Sequence, residues 1–594
     1  MMMLGGLDQI LLLGVIALVL CLGSREFGLH NLAAGQVVVL GGWWCWEIVA
    51  WATGAPSHTN RAWLSVATLP VVVLCAWPLA ARTYLRDHPL IFMFASLGAA
   101  LVTETTLQGK ALPFATSHIA VPDGASWHVL IPVGAAAVAS VVCVLVFSSG
   151  RWATCALKCR VATNRSSGVW ASVAMVLVLQ FVLLLGIGGA SASVHRGMAG
   201  GADDRTVLAV LAVFLARARP IRAGLIGAGM GIAIHLFDHV GGAVQSLASP
   251  LTMLGAALLI VLLRWPKRPL IAARTVVPVA PCLTTREAAI RTGLAVGVAA
   301  AFVVILAAAN GGLGRMPVLA YSYLLVLVLA AWALRYILGI WTVSIPLLSG
   351  CAGYGVYLAE TVFQSYWTTS LVCAALVVLA SAYFLLLRLL SVNVAVLCDV
   401  ALVVVGASLI RHMDLSGSSQ IVALAVDQFI PTDPGIIVIA EVVVGCAIVL
   451  LVLLFLNRQP WRPYVLAVAN FENATRHGWR PVWSFLSLAA VVSLVVVLAS
   501  LLLRLGKPTV ASSELELGRG LTVLFFAYLA SEASLLLGAT SVGAVALVAA
   551  GVGLGYGILE VALVGALFQI LGFIVPAVAR AKENWNANVS TTAR

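Results

Sequence analysis

Hydrophobic positions in this chain neither alternate nor fall on one helical face. They run on in blocks of about 20 residues, each long enough to cross a bilayer as a helix. The blocks lie near 10–23, 32–53, 62–82, 89–108, 127–147, 169–190, 205–236 and 246–263. They resume near 288–309, 317–339, 341–362, 369–391, 393–410, 435–457, 482–505, 519–550 and 557–580. Short polar or Gly/Pro-rich breaks separate them. The pattern predicts an all-α polytopic integral membrane protein with roughly 16–19 transmembrane or re-entrant helices, because in lipid the backbone must satisfy its own hydrogen bonds. The opening block, "MMMLGGLDQILLLGVIALVLCLG", has no basic start and reads as a retained first span rather than a cleaved leader.

Composition removes the competing classes. Of 594 residues, 62% are hydrophobic and 9% charged, against about 25% charged in an average chain. The formal charge of +12 sits mainly in short loops. That is the positive-inside bias of membrane proteins and not a nucleic-acid surface. The basic stretches 82–88, 150–165, 264–274 and 457–480 are therefore expected in the cytoplasm. Arg504 and Lys507 are exceptions that this topology puts outside. The eleven cysteines are scattered through apolar runs. Cys155 and Cys159 have no further ligand beside them, so no metal site is expected and buried thiols are the better account. The chain has no Gly-x-x-x-x-Gly-Lys-Ser/Thr phosphate loop. It has no large soluble loop for a hydrolase or glycosyltransferase site. An enzyme is not expected.

Four segments follow from these breaks: a first half, 1–263; a cytoplasmic linker, 264–287; a second half, 288–581; and a polar tail, 582–594. The halves share features at a near-constant offset. Gly168 and Gly478 are 310 positions apart, and Gly224 and Gly538 are 314 apart. "RTVLAVLAVFLARARPIRAG" in the first half lines up with "GRGLTVLFFAYLASEASLLLG" in the second. This spacing predicts two parallel pseudo-repeated halves, a common plan in transporters.

One stretch, "GLHNLAAGQVVVLGGWW" (28–44), is too polar for a plain anchor. Asn31-x-Ala33-x-Gly35 followed by Leu40-Gly41-Gly42-Trp43 resembles a motif of the branched-chain amino acid family of ABC importer permeases, in which Asn-x-Ala-x-Gly leads to Leu-Gly-Ala-Tyr. "LRDHPLIFMFASLGAAL" looks like that family's cytoplasmic turn and following helix. Ala156 to Gly168 has the spacing of its coupling loop. "LLIVLLRWPKRPL" looks like the ending of its first permease subunit. Asn470-Phe-Glu-Asn-Ala474-x-x-x-Gly478 is similar to the coupling loop of the second. The second-subunit Ser-Leu-Gly-His motif is not kept; "SIPLLSGCAGYGVY" retains only Ser344 and glycines.

The resemblance implies two permease subunits fused head to tail in a bacterial cytoplasmic (plasma) membrane, importing a small polar solute such as a branched-chain or other amino acid, urea or an amide. It implies a translocation path at Asn31, Ala33, Gly35, Gln36 and Gly41. It implies ATPase coupling through Ala156, Gly168, Asn470, Glu472, Ala474 and Gly478. The chain would carry no cofactor of its own. ATP and Mg would sit on two partner ATP-binding subunits, and an extracytoplasmic solute-binding protein would deliver the solute.

Plainer readings stand beside these. Asn31, Gly35 and Gln36 also suit a packed helix crossing, where small residues let backbones approach and an amide bonds across. The coupling loops also suit ordinary basic inner loops. "HLFDH" (235–239) suits a polar helix end better than a metal site. The apolar-run acids Glu47, Glu104, Glu360, Asp399, Glu441, Glu532 and Glu560 invite functional suspicion, and Glu441 and Asp399 are best placed for a proton-coupled carrier. A stand-alone secondary transporter or lipid-linked precursor flippase is the alternative function. A membrane transferase using Asp203 and Asp204 is a third.

Overall fold

In this computed structural model the described residues are 2–27, 30–53, 61–80, 90–107, 167–192, 202–240, 247–264, 285–313, 315–363, 366–413, 433–457, 481–506, 517–532 and 542–544. They form helices and connecting turns with no strand among them. Five helices are long and apolar enough to cross a membrane by length and composition, and shorter apolar helices of 10–17 residues accompany them. The protein is an α-helical membrane protein. Its described residues divide into two compact units, one within Met1–Ile260 and one within Val261–Glu560.

The first unit contains α1 (Met2–Phe27), α2 (Ala34–Thr53), α3 (Arg61–Ala80), α4 (Leu90–Thr106), α5 (Ser167–Ala192), α6 (Ala202–Leu215), α7 (Pro220–Val240) and α8 (Ala248–Arg264). Helix α1 is its centre. From Leu12 to Ser24 every residue is buried, against α5, α6 and α7. A helix apolar all round has to be enclosed in this way or face lipid.

Without a hydrophobic drive between helices inside a bilayer, close backbone approach supplies the contact. It does so at two crossings. On α7, a Cβ at Gly231 would stand 2.7 Å from Ile10 Cα, and one at Gly227 would stand 2.9 Å from the Leu13 carbonyl oxygen. Between α2 and α5 the approach is reciprocal. A Cβ at Gly41 would meet the Leu185 oxygen at 2.2 Å, and one at Gly188 the Val38 oxygen at 1.8 Å. Polar links tie the remaining pairs. Gln180 Nε2 donates to the Val19 oxygen at 3.2 Å, and Thr103 Oγ1 donates to the Ala67 oxygen at 2.9 Å. Trp77 stacks on Phe92 with ring centroids 6.0 Å apart.

The single span expected over 205–236 is corrected. It is two helices, α6 and α7, joined by a tight turn in which Arg217 and Ala218 take positive φ (52° and 54°). Pro220 opens α7, where its missing N–H costs nothing. The apolar run is continuous, but proline and three arginines (Arg217, Arg219, Arg222) interrupt it.

The second unit contains α9 (Thr285–Asn310), α10 (Met316–Ala333), a π-helical turn (Leu334–Leu338), α11 (Ile345–Phe363), α12 (Tyr366–Leu389), α13 (Val392–Met413), α14 (Pro434–Asn457), α15 (Pro481–Gly506) and α16 (Leu517–Glu532). Helix α10 is its centre, packed against α9, α11, α14, α15 and α16. The π turn ends at Gly339, whose φ of 65° closes the helix in the left-handed conformation that glycine adopts at least cost. Residues 339–344 then run outside any helix. Arg504, expected in an outer loop, instead lies in the last turn of α15 and is 1% exposed. A buried cation takes no part in loop-charge asymmetry, which removes one exception to the positive-inside pattern.

Large apolar side chains stand exposed on outward helix faces: Leu225 (68%) on α7, Leu262 (72%) on α8, Trp367 (82%) on α12. A soluble protein rarely leaves so much apolar surface uncovered; faces of this kind suit a lipid environment.

Candidate functional site

A helix leaves its first backbone N–H groups without internal partners. Between packed apolar helices no bulk water reaches them, so side chains must. Among the described residues each unit contains such a helix start, preceded by a non-helical segment.

In the first unit the segment is His30–Ala33, leading into α2. The Leu32 N–H donates to Ser96 Oγ on α4 at 2.8 Å. The Ala33 N–H donates to Asn31 Oδ1 at 2.9 Å, an amide side chain folded onto its own backbone. The Gly35 N–H donates to Thr206 Oγ1 on α6 at 2.6 Å. His30 is fixed by Ser24 Oγ, 3.0 Å from its Nδ1, and by the Phe214 ring, 4.4 Å between centroids. One turn on, Gln36 Nε2 donates to Glu104 Oε2 at 3.2 Å.

The five residues expected to line a path are thus placed. Asn31 (8% exposed), Ala33 (0%) and Gln36 (1%) are buried, as are Gly35 and Gly41. Asn31, Ala33, Gly35 and Gln36 cluster around the start of α2. Gly41 lies farther along α2, at its crossing with α5. The interruption lies before Ala34 and not at Gly35, because Asn31 and Ser96 meet the backbone donors one and two residues earlier.

In the second unit the segment is Gly339–Ser344, leading into α11. The Val343 N–H donates to Asp399 Oδ2 on α13. Tyr383 of α12 donates its hydroxyl to Asp399 Oδ1 at 2.8 Å, while the Thr342 and Ser344 hydroxyls pair with each other at 2.8 Å. Ser344 N–H reaches Thr342 Oγ1 at 3.2 Å. Helix α16 comes so close that a Cβ at Gly520 would lie 2.3 Å from the Val343 oxygen. Arg335 covers the Trp341 ring, its guanidinium carbon 3.8 Å from the centroid.

Compared with family models, curated proteins and solved structures, the chain matches none of them.

The acids of the apolar runs separate into kinds. Glu47 is 3% exposed and accepts from Arg61 Nε at 2.9 Å, a pair at the ends of α2 and α3. Glu104 is half-buried and meets Gln36. Asp399 is 0% exposed and accepts from the Val343 N–H and the Tyr383 hydroxyl. Glu441 is 0% exposed, and neither of its oxygens has a hydrogen-bond partner. The side chain of Glu360 and all of Glu560 lie outside the described residues, as does the side chain of Glu532.

Of the coupling residues, Ala156, Asn470, Glu472, Ala474 and Gly478 lie outside the described residues, and Gly168 falls in the first turn of α5. The side chains of Asp203, Asp238 and His239 are also outside them.

Sequence reasoning missed Ser96, Thr206 and Tyr383. Their only signal is a hydroxyl among other polar side chains of a largely apolar helix, and such a residue usually bonds back to its own helix. Thr252 and Ser493 do so here.

Proposed function

We propose that the chain is the membrane-spanning permease of an ABC importer for a small polar solute, with both permease halves in one polypeptide and separate ATPase subunits. The observation that carries this reading is the helix start at Asn31–Gln36. The residues that resemble the family's motif are the ones that build a hydrogen-bonded N-terminus among apolar helices. Irregular backbone is tolerated there only beside protein or a water-filled cavity. Transporters use such starts to aim backbone donors and amides at a solute.

Two further features support it. Among the described residues each unit contains an interrupted start of this kind, an arrangement that parallel repeats would give. The Gln36–Glu104 pair adds an amide and a carboxylate one turn from the N–H groups, the kinds of group a zwitterionic or amide solute would pair with once these bonds exchange. On this reading, ATP closure on the cytoplasmic side rocks the two halves about a shared path, and solute choice rests mainly with a separate binding protein.

One observation favours a second reading, a proton-coupled secondary carrier: the buried, unpartnered carboxyl of Glu441. Purification of the intact chain in mild detergent separates the two. Co-purifying ATPase subunits, with ATP turnover that Gly478→Val releases from solute uptake, are the expected result. A chain that transports after reconstitution alone, without ATP, overturns the importer reading.

A further inference from the structure

The carboxyl of Glu441 opens a question separate from ATP-driven transport. Glu441 lies seven residues in from Pro434 on α14, about 10 Å along the helix at 1.5 Å per residue. It lines a cavity of about 30 Å3 bounded by α9, α10 and α14, room for one or two water molecules. The cavity wall is otherwise apolar except for Ser322 and Cys446. Ser322 is 1% exposed, and its hydroxyl, like both Glu441 oxygens, has no hydrogen-bond partner. Two residues with orphaned polar atoms therefore border one small, almost wholly apolar cavity.

Buried polar groups are almost always satisfied, and an isolated ionised carboxylate in apolar surroundings costs far more than a neutral acid. Among the described residues the charged and titratable neighbours are few. Helix α9 presents only Ala295, Val296 and Ala299 to the cavity. Helix α10 presents Ser322, while its Tyr321 lies against the Phe302 ring. Helix α14 adds its own Cys446. Helix α15 contributes Arg504, whose field reaches Glu441.

We propose that Glu441 is a reversible proton-binding site, its acid form favoured by the apolar surroundings and its ionised form by Arg504 as counter-charge. A metal cation does not suit the cavity. Hard cations take six or more oxygens, and here there are one carboxyl and one hydroxyl. The site gives the second unit a pH-sensitive element that an ATP-driven permease does not require.

The test uses the purified full-length chain in detergent, with no partner subunit, so its outcome is independent of the importer reading. A hydrophobic carbodiimide such as dicyclohexylcarbodiimide reacts with a protonated carboxyl. The acid proton moves to a carbodiimide nitrogen and the carboxyl oxygen adds to the central carbon. The O-acylisourea then rearranges to a stable N-acylurea that peptide mapping locates. The expected result is an adduct on Glu441 that falls about tenfold per pH unit above its midpoint and is absent from Glu441→Gln. A water-soluble carbodiimide should mark Glu441 far less. The infrared carbonyl band of an un-ionised carboxyl should also be present in the wild type and lost in Glu441→Gln. No adduct on Glu441 from about pH 5 to about pH 9, or a wild-type spectrum without that band throughout, overturns the proposal. Protection of Glu441 by sodium ions at constant pH overturns it in favour of a cation site.

Discussion

The starts of α2 and α11 solve one problem with opposite electrostatics. Both helices begin among apolar neighbours and both have backbone N–H groups to satisfy. The first unit uses neutral groups: Asn31, Ser96 and Thr206. The second uses Asp399, with Tyr383, Thr342 and Ser344 around it. A carboxylate at a helix N-terminus gains from the helix dipole, by up to about 2 kcal/mol when partly buried, but it must be fully surrounded by donors to remain there. Hydroxyls and amides gain less and cost less to rearrange. The difference predicts that the second start resists rearrangement more than the first.

The largest expected effect is at the second start. Asp399→Ala removes the acceptor for Val343 N–H and Tyr383 O–H together and should cost about 3 kcal/mol, at about 1–3 kcal/mol for each buried group left unsatisfied. Thermal unfolding in detergent reads this, and an unchanged Tm would show that α11 does not need its acid. Gly520→Ala comes next. Its Cβ would stand 2.3 Å from the Val343 oxygen, and backbone-level overpacking of this kind costs about 1–3 kcal/mol. A loss below the reach of the measurement would mean that α16 can withdraw from this start.

The first unit should respond less. Thr206→Val keeps the shape and removes the acceptor for Gly35 N–H, at about 1 kcal/mol. If its effect equals that of Asp399→Ala, the contrast between the starts fails. Asn31→Leu removes the local acceptor for the Ala33 N–H and should cost as little, ~1 kcal/mol. It should nevertheless reduce solute flux per folded molecule. Normal flux in Asn31→Leu would sink the path assignment and leave the stretch as packing alone.

Glu441 and Asp399 extend the contrast within the second unit. From sequence they are equals, single acids in apolar runs. In the fold Asp399 accepts from the Val343 N–H and the Tyr383 hydroxyl, whereas Glu441 faces a small cavity. What separates them is which helix lies opposite, and that is not written locally. Arg504 shows the same limit. Its position near a polar break reads as a loop charge, yet α15 carries it into the interior. The break at 216–219 inside an apolar run was legible in Pro220 and the neighbouring arginines, but averaging hydropathy over the run concealed it.

Sequence by itself determined the class of this protein, because hydropathy summed over about 20 residues is a local quantity and lipid admits few backbone solutions. It also marked His30–Gln36 as an unusual stretch. Only the tertiary structure decided what that stretch does to the backbone. The groups that satisfy Leu32, Gly35 and Val343 lie 64, 171 and 56 residues away in the chain. A hydrogen bond depends on position to within a few tenths of an ångström, and that precision arises only when helices distant in sequence are packed side by side.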